Sequence, residues 1–512
     1  MDPIALSLFA SRIEAVCNEM GAALKRAAFS PNIRDRLDFS CAVFDAHGEL
    51  CAQAAHIPVH LGSMAYAMAG IVGRMDWHEG DMVVVNDPFL GGTHLPDITV
   101  IAPLFVADRI AGFVANRAHH ANVGGSTPGS MPISRSLDEE GMVIPPTKLV
   151  RRGELDEKVL DAITRATGES GELAGDFAAQ LSANRTGLMR LGELVRATGL
   201  EAYLEGLAEL NDYGERLARA ALARLPQGTY HFRDVLDDDG LGHQDIAIEA
   251  KVNVDQAGVH VDFTGTAPQI PGNVNCPLSV AAAAVYYVFR CLMPAYTPAC
   301  AGSFRPITLT APEGCLVNAR RPAAVAAGNV ETSTRIVDVI CGALAQALPG
   351  FIPAASHGSM NNVAMGARSA QTWDYYETIG GGMGAGVRGG GLSAVQTHMT
   401  NTLNTPVEVL ESRYPLRVTR YAIRRGSGGR GARCGGDGLV REYEFLAPTQ
   451  VTLLTERRRH APWGLAGGEP GAPGENHLNG KPLPGKACLS VATGDRLTIF
   501  TPGGGGHGKE RA

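Results

Sequence analysis

Hydrophobic positions along the chain recur with two different periods. Phe9, Ile13, Val16, Met20 and Leu24 lie three to four residues apart, which is the spacing of one face of an amphipathic helix. Asp2 and Pro3 suit the start of that helix, as cap and first-turn residue. The proline of Ser30-Pro31 marks its end, because proline keeps the preceding residue out of helical geometry. A period of two then takes over. "DFSCAVF" (38–44) runs into the polar turn "DAHG" and returns as "ELCAQAA" (49–55). "DITVIAPLF" (97–105) turns through "VADR" (106–109) and returns as "IAGFVANRAHH" (110–120). Both segments predict strand–turn–strand hairpins.

From 154 to 225 helical spacing returns through Leu155, Val159, Ile163, Phe177, Leu181, Leu188, Leu191, Leu204, Leu207 and Leu217, with Pro226 closing the stretch. In "HQDIAIEAKVNVDQAGVHVDFTG" (243–265), Ile246, Ile248, Ala250, Val252 and Val254 alternate before the turn "DQAG", and Val259, Val261 and Phe263 resume the pattern. Buried helices are expected at 278–293 and around 332–347. Glycine dominates at 380–391, 424–438 and 501–508. The strand-like runs "REYEFLA" and "VTLLTER" between these segments point to ordered turns around a sheet rather than a flexible linker. The expected fold is mixed α+β and multidomain, divided into 1–153 (α/β), 154–226 (helical), 227–423 (central α+β) and 424–512 (glycine-rich, β-rich).

A chain of 512 residues is too long for one ordinary core, which fits several domains. Hydrophobic residues at 45% and charged residues at 19% describe a folded chain rather than a disordered one. A formal net charge of -7 and the lack of a basic block leave no phosphate-neutralising surface, so no nucleic-acid partner is expected. Ten cysteines without a CxxC pair read as buried free thiols. No secretory leader and no apolar run of membrane-spanning length are visible, so a cytoplasmic location without membrane contact is expected.

Candidate chemistry concentrates in "NDPFLGGTHLPD" (86–97) and "NRAHHANVGG" (116–125). His94 and Asp97 open one strand of the second hairpin, and His119 and His120 end the strand that returns beside it. An antiparallel pair brings those ends together, so imidazole and carboxylate groups meet at one sheet edge. Successive side chains of a strand point oppositely, so only one of His119 and His120 reaches a shared metal ion. The other is free to orient it or to meet substrate. Asp38 opens the first hairpin in the same way and is a candidate fourth ligand, with His56 and His60 as competitors. Two histidines and two carboxylates suit Mn, Fe or Zn. No Gly-x-Ser-x-Gly turn is present. "GKPLPGK" (480–486) has Ala487 in place of the Mg-binding Ser/Thr and two prolines where N–H donors are needed, so it reads as a turn rather than a phosphate loop. "QTHMTNTLNTPVEVLE" (396–411) offers His398, Thr400 and Asn401 as hydrogen-bonding groups suited to a neutral amide substrate.

Several segments together resemble the hydantoinase B family. They are "SPNIRDRLDFSCAVFDAHGELCAQAAHIPVHLGSM" (30–64), "GDMVVVNDPFLGGTHLPDITV" (80–100), "NRAHHANVGG" (116–125), "ETSTRIVD" (331–338), "THMTNTLNTPVEVLE" (397–411) and "SGGRGARCGGDGLVREYEF" (427–445). The family includes N-methylhydantoinase beta subunits, the C-terminal half of ATP-dependent 5-oxoprolinase, and related subunits of caprolactamase, acetophenone carboxylase and acetone carboxylase. The resemblance implies a hydantoinase B-like fold and the metal ligands Asp38, His94, Asp97 and His119. His120 and His398 are then candidate catalytic groups, and Asn122, Thr400 and Asn401 candidate substrate contacts. Three positions depart from the pattern: Gln396 replaces a histidine, Leu403 an arginine, and Asn122 an aspartate. The resemblance further implies a divalent metal in this chain and ATP bound by a hydantoinase A-type partner subunit, in a heterotetramer or larger assembly. The implied reaction is ATP-dependent hydrolysis of a small cyclic amide, a hydantoin or a lactam. The alternatives are a ketone carboxylase subunit of the acetone or acetophenone carboxylase type, or a degenerate scaffold that only stabilises its partner.

Overall fold

The computed structural model describes residues 1–54, 57–60, 62–168, 171–368 and 372–510. A helix spans Pro3–Ala27. The Asp2 carboxylate accepts hydrogen bonds from the backbone N–H groups of Ile4 and Ala5, both at 2.9 Å, which satisfies two otherwise orphaned donors at the helix start. Phe9, Ile13, Val16, Met20 and Leu24 are its buried face.

This helix and a second one, Glu172–Thr198, cover one face of a seven-stranded sheet. Its strands are β1 (Phe39–Phe44), β2 (Leu50–Ala54), β3 (Met82–Val85), β4 (Asp97–Val106), β5 (Arg109–His119), β6 (Thr147–Arg151) and β7 (Glu154–Leu155), in the spatial order β2-β1-β5-β4-β3-β6-β7. Both expected hairpins form, β1–β2 and β4–β5, and β1 pairs antiparallel with β5 to join them. Ala107 and Asp108, at φ 49° and 61°, make the two-residue turn between β4 and β5, a left-handed geometry that matches strand twist. Val100, Val114, Phe177 and Leu181 share a core on the helix-covered face, and Phe44, Trp77, Val83, Ile101 and Phe113 pack on the other.

The helical middle region resolves into Glu157–Thr167, Glu172–Thr198 and Leu200–Leu222. Beyond it, β8 (Gly228–Asp238), β9 (Gln244–Val254), β10 (Val259–Asp262) and β11 (Ile307–Thr310) form a four-stranded sheet. Helices Leu278–Leu292 and Ser333–Ala347 pack on it through Val280, Val285, Phe289, Ile336 and Ile340 against Ile246, Ile248, Val252 and Val261. The remaining strands are β12 (Asn362–Arg368), β13 (Thr372–Glu377), β14 (Leu416–Arg424), β15 (Gly438–Phe445), β16 (Thr449–Leu454), β17 (Glu475–Leu478), β18 (Lys481–Leu483), β19 (Lys486–Val491) and β20 (Arg496–Phe500). They build two sheets, β13-β12-β16-β19 and β14-β15-β20-β17-β18, around a core that includes Val363, Tyr375, Leu416, Tyr443, Leu453 and Leu497.

The three glycine runs pack backbone against backbone beside these sheets. Gly429 N–H donates to Gly504 carbonyl at 2.9 Å, Gly504 N–H to Gly436 at 2.9 Å, and Gly436 N–H to Met383 at 2.8 Å. A Cβ added at Gly435 would lie 1.9 Å from the Gly504 carbonyl oxygen, so only glycine admits this approach.

β3 and β8 are among the strands that a period-two reading of the sequence misses. β3 is buried at every position, so it reads as a continuous apolar run, whereas much of β8 is exposed or half-exposed. All ten cysteines are free, but Cys291, Cys434 and Cys488 are exposed rather than buried. Among the described residues no helix is long and apolar enough to cross a membrane.

Candidate metal centre

The pairing of β4 with β5 places Asp97 directly opposite His119. β1 completes the arrangement from the other side of β5, and the His119 backbone N–H donates to the Asp38 carbonyl at 3.0 Å. His94 precedes β4 on the loop that carries Pro96. Three ligand-type atoms, one each from His94, Asp97 and His119, therefore fall within 4.8 Å of one another. All three residues are buried.

The Asp97 carboxylate is the hub. Its Oδ1 lies 3.3 Å from His119 Nδ1, and its Oδ2 lies 3.3 Å from His94 Nε2 and 3.4 Å from His60 Nε2. The Thr93 hydroxyl donates to Oδ2 at 2.5 Å and the Asn329 amide at 3.4 Å. Burial alone pushes the Asp97 carboxyl up, but the imidazoles of His94, His119 and His60 outweigh it and hold the group well below the usual carboxylate range. Burial lowers the pKa of His94, yet Asp97 beside it leaves a net rise. At His119 burial dominates and the net shift is downward.

His94 Nδ1 lies 3.1 Å from the Ala326 carbonyl oxygen. That acceptor places the proton on Nδ1 and leaves the Nε2 lone pair facing the cavity, the posture of a metal-ligating histidine. The Ala326 segment is held in turn by Glu140, whose carboxylate accepts from the Val325 and Ala326 N–H groups at 2.8 and 2.9 Å. The His119 ring stacks on Tyr376 with centroids 4.7 Å apart, and the Arg36 guanidinium lies over the same tyrosine ring at 5.0 Å. Arg36 reaches Asp38 Oδ2 at 3.8 Å and donates to Thr378 and Thr402, which docks the 396–411 segment against the hairpins.

The donor set fits a divalent ion. His119 Nε2 is buried without a hydrogen-bond partner, and His94 Nε2 has only the 3.3 Å approach of Asp97 Oδ2; a buried polar atom left unsatisfied costs about 1–3 kcal/mol unless something else satisfies it. Two imidazoles and an ionised carboxylate match the preferences of Zn, Mn and Fe. The enclosed space is about 20 Å³, lined by Asp38, His60, His94, Asp97, His119 and Asn329 among others, which is room for an ion or a single water molecule.

Other residues singled out in the sequence lie in different places. Thr400 lines the cavity. His56 falls outside the described residues, while its fellow candidate His60 is at the hub, with Nδ1 3.0 Å from the Ser40 hydroxyl. His120 faces away from the cluster, as alternation along a strand requires. Its Nε2 meets the Gln180 side chain at 3.0 Å and its ring lies against Phe177. Asn122 is buried at a separate junction, donating to the Thr167 carbonyl at 3.0 Å and to Asp374 at 3.1 Å. An aspartate there would face the Asp374 carboxylate of this chain. Asn401 is exposed. His398, with backbone φ 59°, lines a different cavity.

Asn329, Tyr376 and Thr378 were not legible as site residues. Asn329 comes from a single turn of π-helix, Gly328–Thr332, just ahead of the quoted "ETSTRIVD", and such turns cluster at functional sites. Tyr376 arrives on β13, more than two hundred residues beyond the hairpins.

A family model described as Hydantoinase B/oxoprolinase matches residues 2–510. An uncharacterized protein of Methanocaldococcus jannaschii is 40% identical over 523 residues, covering 99% of this chain and 91% of its own length. 5-Oxoprolinase 1 of Arabidopsis thaliana is 40% identical over 542 residues, covering 99% of this chain but 42% of its own length, so the chain spans less than half of that enzyme. The crystal structure of ATP-dependent caprolactamase from Pseudomonas jessenii superposes with a TM-score of 0.93 at 28% identity, over 99% of this chain and 91% of that one.

Proposed function

This chain belongs to the hydantoinase B/oxoprolinase family, and from that premise we propose that it is the metal-bearing subunit of an ATP-dependent hydrolase opening a hydantoin or lactam ring. The observation that carries the reading is the buried His94–Asp97–His119 cluster with its unpartnered His119 Nε2. Asp38, which lines the same cavity, is the proposed fourth ligand, and Mn, Zn or Fe the proposed ion. ATP is assigned to a hydantoinase A-type partner, in a heterotetramer or larger assembly. Support comes from a 5-oxoprolinase more than twice as long as this chain and from the ATP-dependent caprolactamase that shares its fold.

An amide resists opening because nitrogen donates into its carbonyl. Phosphorylation of the carbonyl oxygen, assigned to the partner, removes that donation and leaves a carbon open to water. A divalent ion bound at the cluster would supply Lewis acidity and lower the pKa of water. Within this chain, Asp97 stays ionised under the influence of the surrounding imidazoles. Thr93 and Asn329 fix the direction of its oxygens, and Ala326 fixes the tautomer of His94. Arg36 and Tyr376 hold the His119 ring from behind. Thr400 and Thr378 carry hydroxyls on the cavity wall and are the proposed contacts to the amide, which requires the cavity, sized here for an ion or one water molecule, to widen in the assembled complex. His120, turned toward Gln180, is assigned the positioning of β5 against its covering helix rather than proton transfer.

The test is purification of the chain with its partner, followed by a screen of ATP consumption with hydantoins, 5-oxoproline and lactams, and with ketone plus bicarbonate. ATP-dependent ring opening is expected. Carboxylation of a ketone overturns the hydrolase reading, and a metal-free assembly with no turnover of any substrate class leaves a scaffold.

A further inference from the structure

A second cavity, of about 510 Å³, takes up two features the hydrolase reading leaves unused: the glycine run at 380–391 and His398. Its volume lies in the range of sites that enclose small molecules. One wall is the helix Leu278–Leu292, presenting Tyr287, Val288 and Leu292, and another is Phe351 and Ile352. The glycine run closes the third side with backbone at Gly384, Gly386, Gly389 and Gly390 and with Met383, Val387 and Arg388 between them, and Gly386 N–H donates to the Gly389 carbonyl at 3.0 Å.

Polar groups converge on this apolar space at two points. His398 is held in the left-handed region at φ 59°, with Nδ1 3.5 Å from the Tyr287 hydroxyl. A non-glycine residue in that conformation is strained, and such strain concentrates at ligand sites. Arg388 is the one charged side chain among the lining residues. It is exposed, lies over the Phe351 ring at 5.4 Å, and forms no ion pair among the described residues. Beside it Phe351 and Val387 remain 51% and 46% exposed, which leaves apolar surface at the mouth next to an uncompensated cation.

We propose that this cavity binds a small apolar monocarboxylate, its ring or hydrocarbon chain against Tyr287, Val288, Phe351 and Ile352 and its carboxylate on Arg388. The guanidinium at the mouth favours one carboxylate over a neutral group through a charge-assisted contact, and a multiply charged ligand would place charge against the aliphatic walls. The site is independent of the metal cluster, so its failure leaves the hydrolase reading intact.

Titration calorimetry of the full chain with 3-phenylpropionate and its neutral isostere 3-phenylpropanamide tests the assignment. The acid is expected to bind about tenfold more tightly than the amide, as befits one charge-assisted contact. Arg388→Gln removes that preference while amide binding persists. Gly386→Leu abolishes binding of both, because a Cβ at Gly386 meets only Pro353, at 3.8 Å, and the side chain has room to fill the cavity. Equal affinity for acid and amide, undiminished acid binding by Arg388→Gln, or no binding of either compound overturns the proposal.

Discussion

At the scale of single residues the site depends on Asp97, whose two oxygens serve three imidazoles. Asp97→Asn keeps the shape but removes the charge, so metal content measured by elemental analysis is expected to fall at least tenfold, with His94→Ala following it. In the assembled complex the same variants are expected to lose turnover by about a hundredfold or more. Retention of both metal and turnover by either variant would remove the cluster from the mechanism. A second residue-scale prediction concerns Glu331, which accepts from Met360 N–H at 2.9 Å and the Asn362 amide at 2.6 Å. Burial first, then the nearby Glu456, raises its pKa to about 8. The folded state therefore holds a proton that the unfolded chain releases near the ordinary glutamate value. This contribution to stability is full at acid pH, declines as pH rises from about 4.5 to 8, and is flat above that. Glu331→Gln should flatten the slope of stability against pH in that window, read by denaturant titration. A slope unchanged by the substitution would show that Glu331 is ionised at neutral pH. Which residues meet at the hub was readable where a strand pattern delivers them: His94, Asp97 and His119 come from the ends of one hairpin and cluster, while Asp38, at the start of the other hairpin, lines the same cavity. Asn329 and Tyr376 were not, because neither a π-helical turn nor a distant strand leaves a local pattern pointing at the hairpins.

At the scale of elements, the strand patterns of 38–44 with 49–55 and of 97–105 with 110–120 were enough to place both hairpins. Their adjacency, set by β1 pairing with β5, had no local signal, since strand neighbours across a gap of sixty residues are chosen by packing. His398 and Thr400 show the limit from the other side. They are two residues apart, but the left-handed turn at His398 sends them to different cavities. The glycine runs were expected to be ordered turns, and their mutual packing makes a sharper prediction. Gly435→Ala places a methyl group 1.9 Å from the Gly504 oxygen, so the backbones must separate. A loss of about 1–3 kcal/mol is expected, measured as a lowered unfolding midpoint. The same change at Gly480, where a Cβ meets nothing within 4 Å although φ is 76°, should cost only the conformational term, about 1 kcal/mol. Equal losses at both positions would mean that close approach is not what fixes Gly435.

At the scale of the whole molecule, the metal hub lies where separate parts of the chain converge. Its cavity draws residues from the hairpins, the π-helical turn, β13 and the 396–411 segment. An ion held there should bind the folded state and not the unfolded chain, and so should raise thermal stability by mass action. Chelation is expected to lower the melting temperature of the wild type by a few degrees and to leave that of Asp97→Asn unmoved. Differential scanning fluorimetry with and without added Zn or Mn would check this, and an equal response in both proteins would place the ion elsewhere.

The seam of bare backbone near Gly429, Gly436 and Gly504 also constrains how this protein can evolve. Three stretches far apart in sequence meet there backbone against backbone, with almost no side chain between them to adjust the fit. A substitution in one cannot be compensated by shrinking a neighbour, because nothing smaller than hydrogen is available. Drift should therefore be rapid on the surrounding strands and nearly frozen along the seam, regardless of which substrate a descendant comes to use.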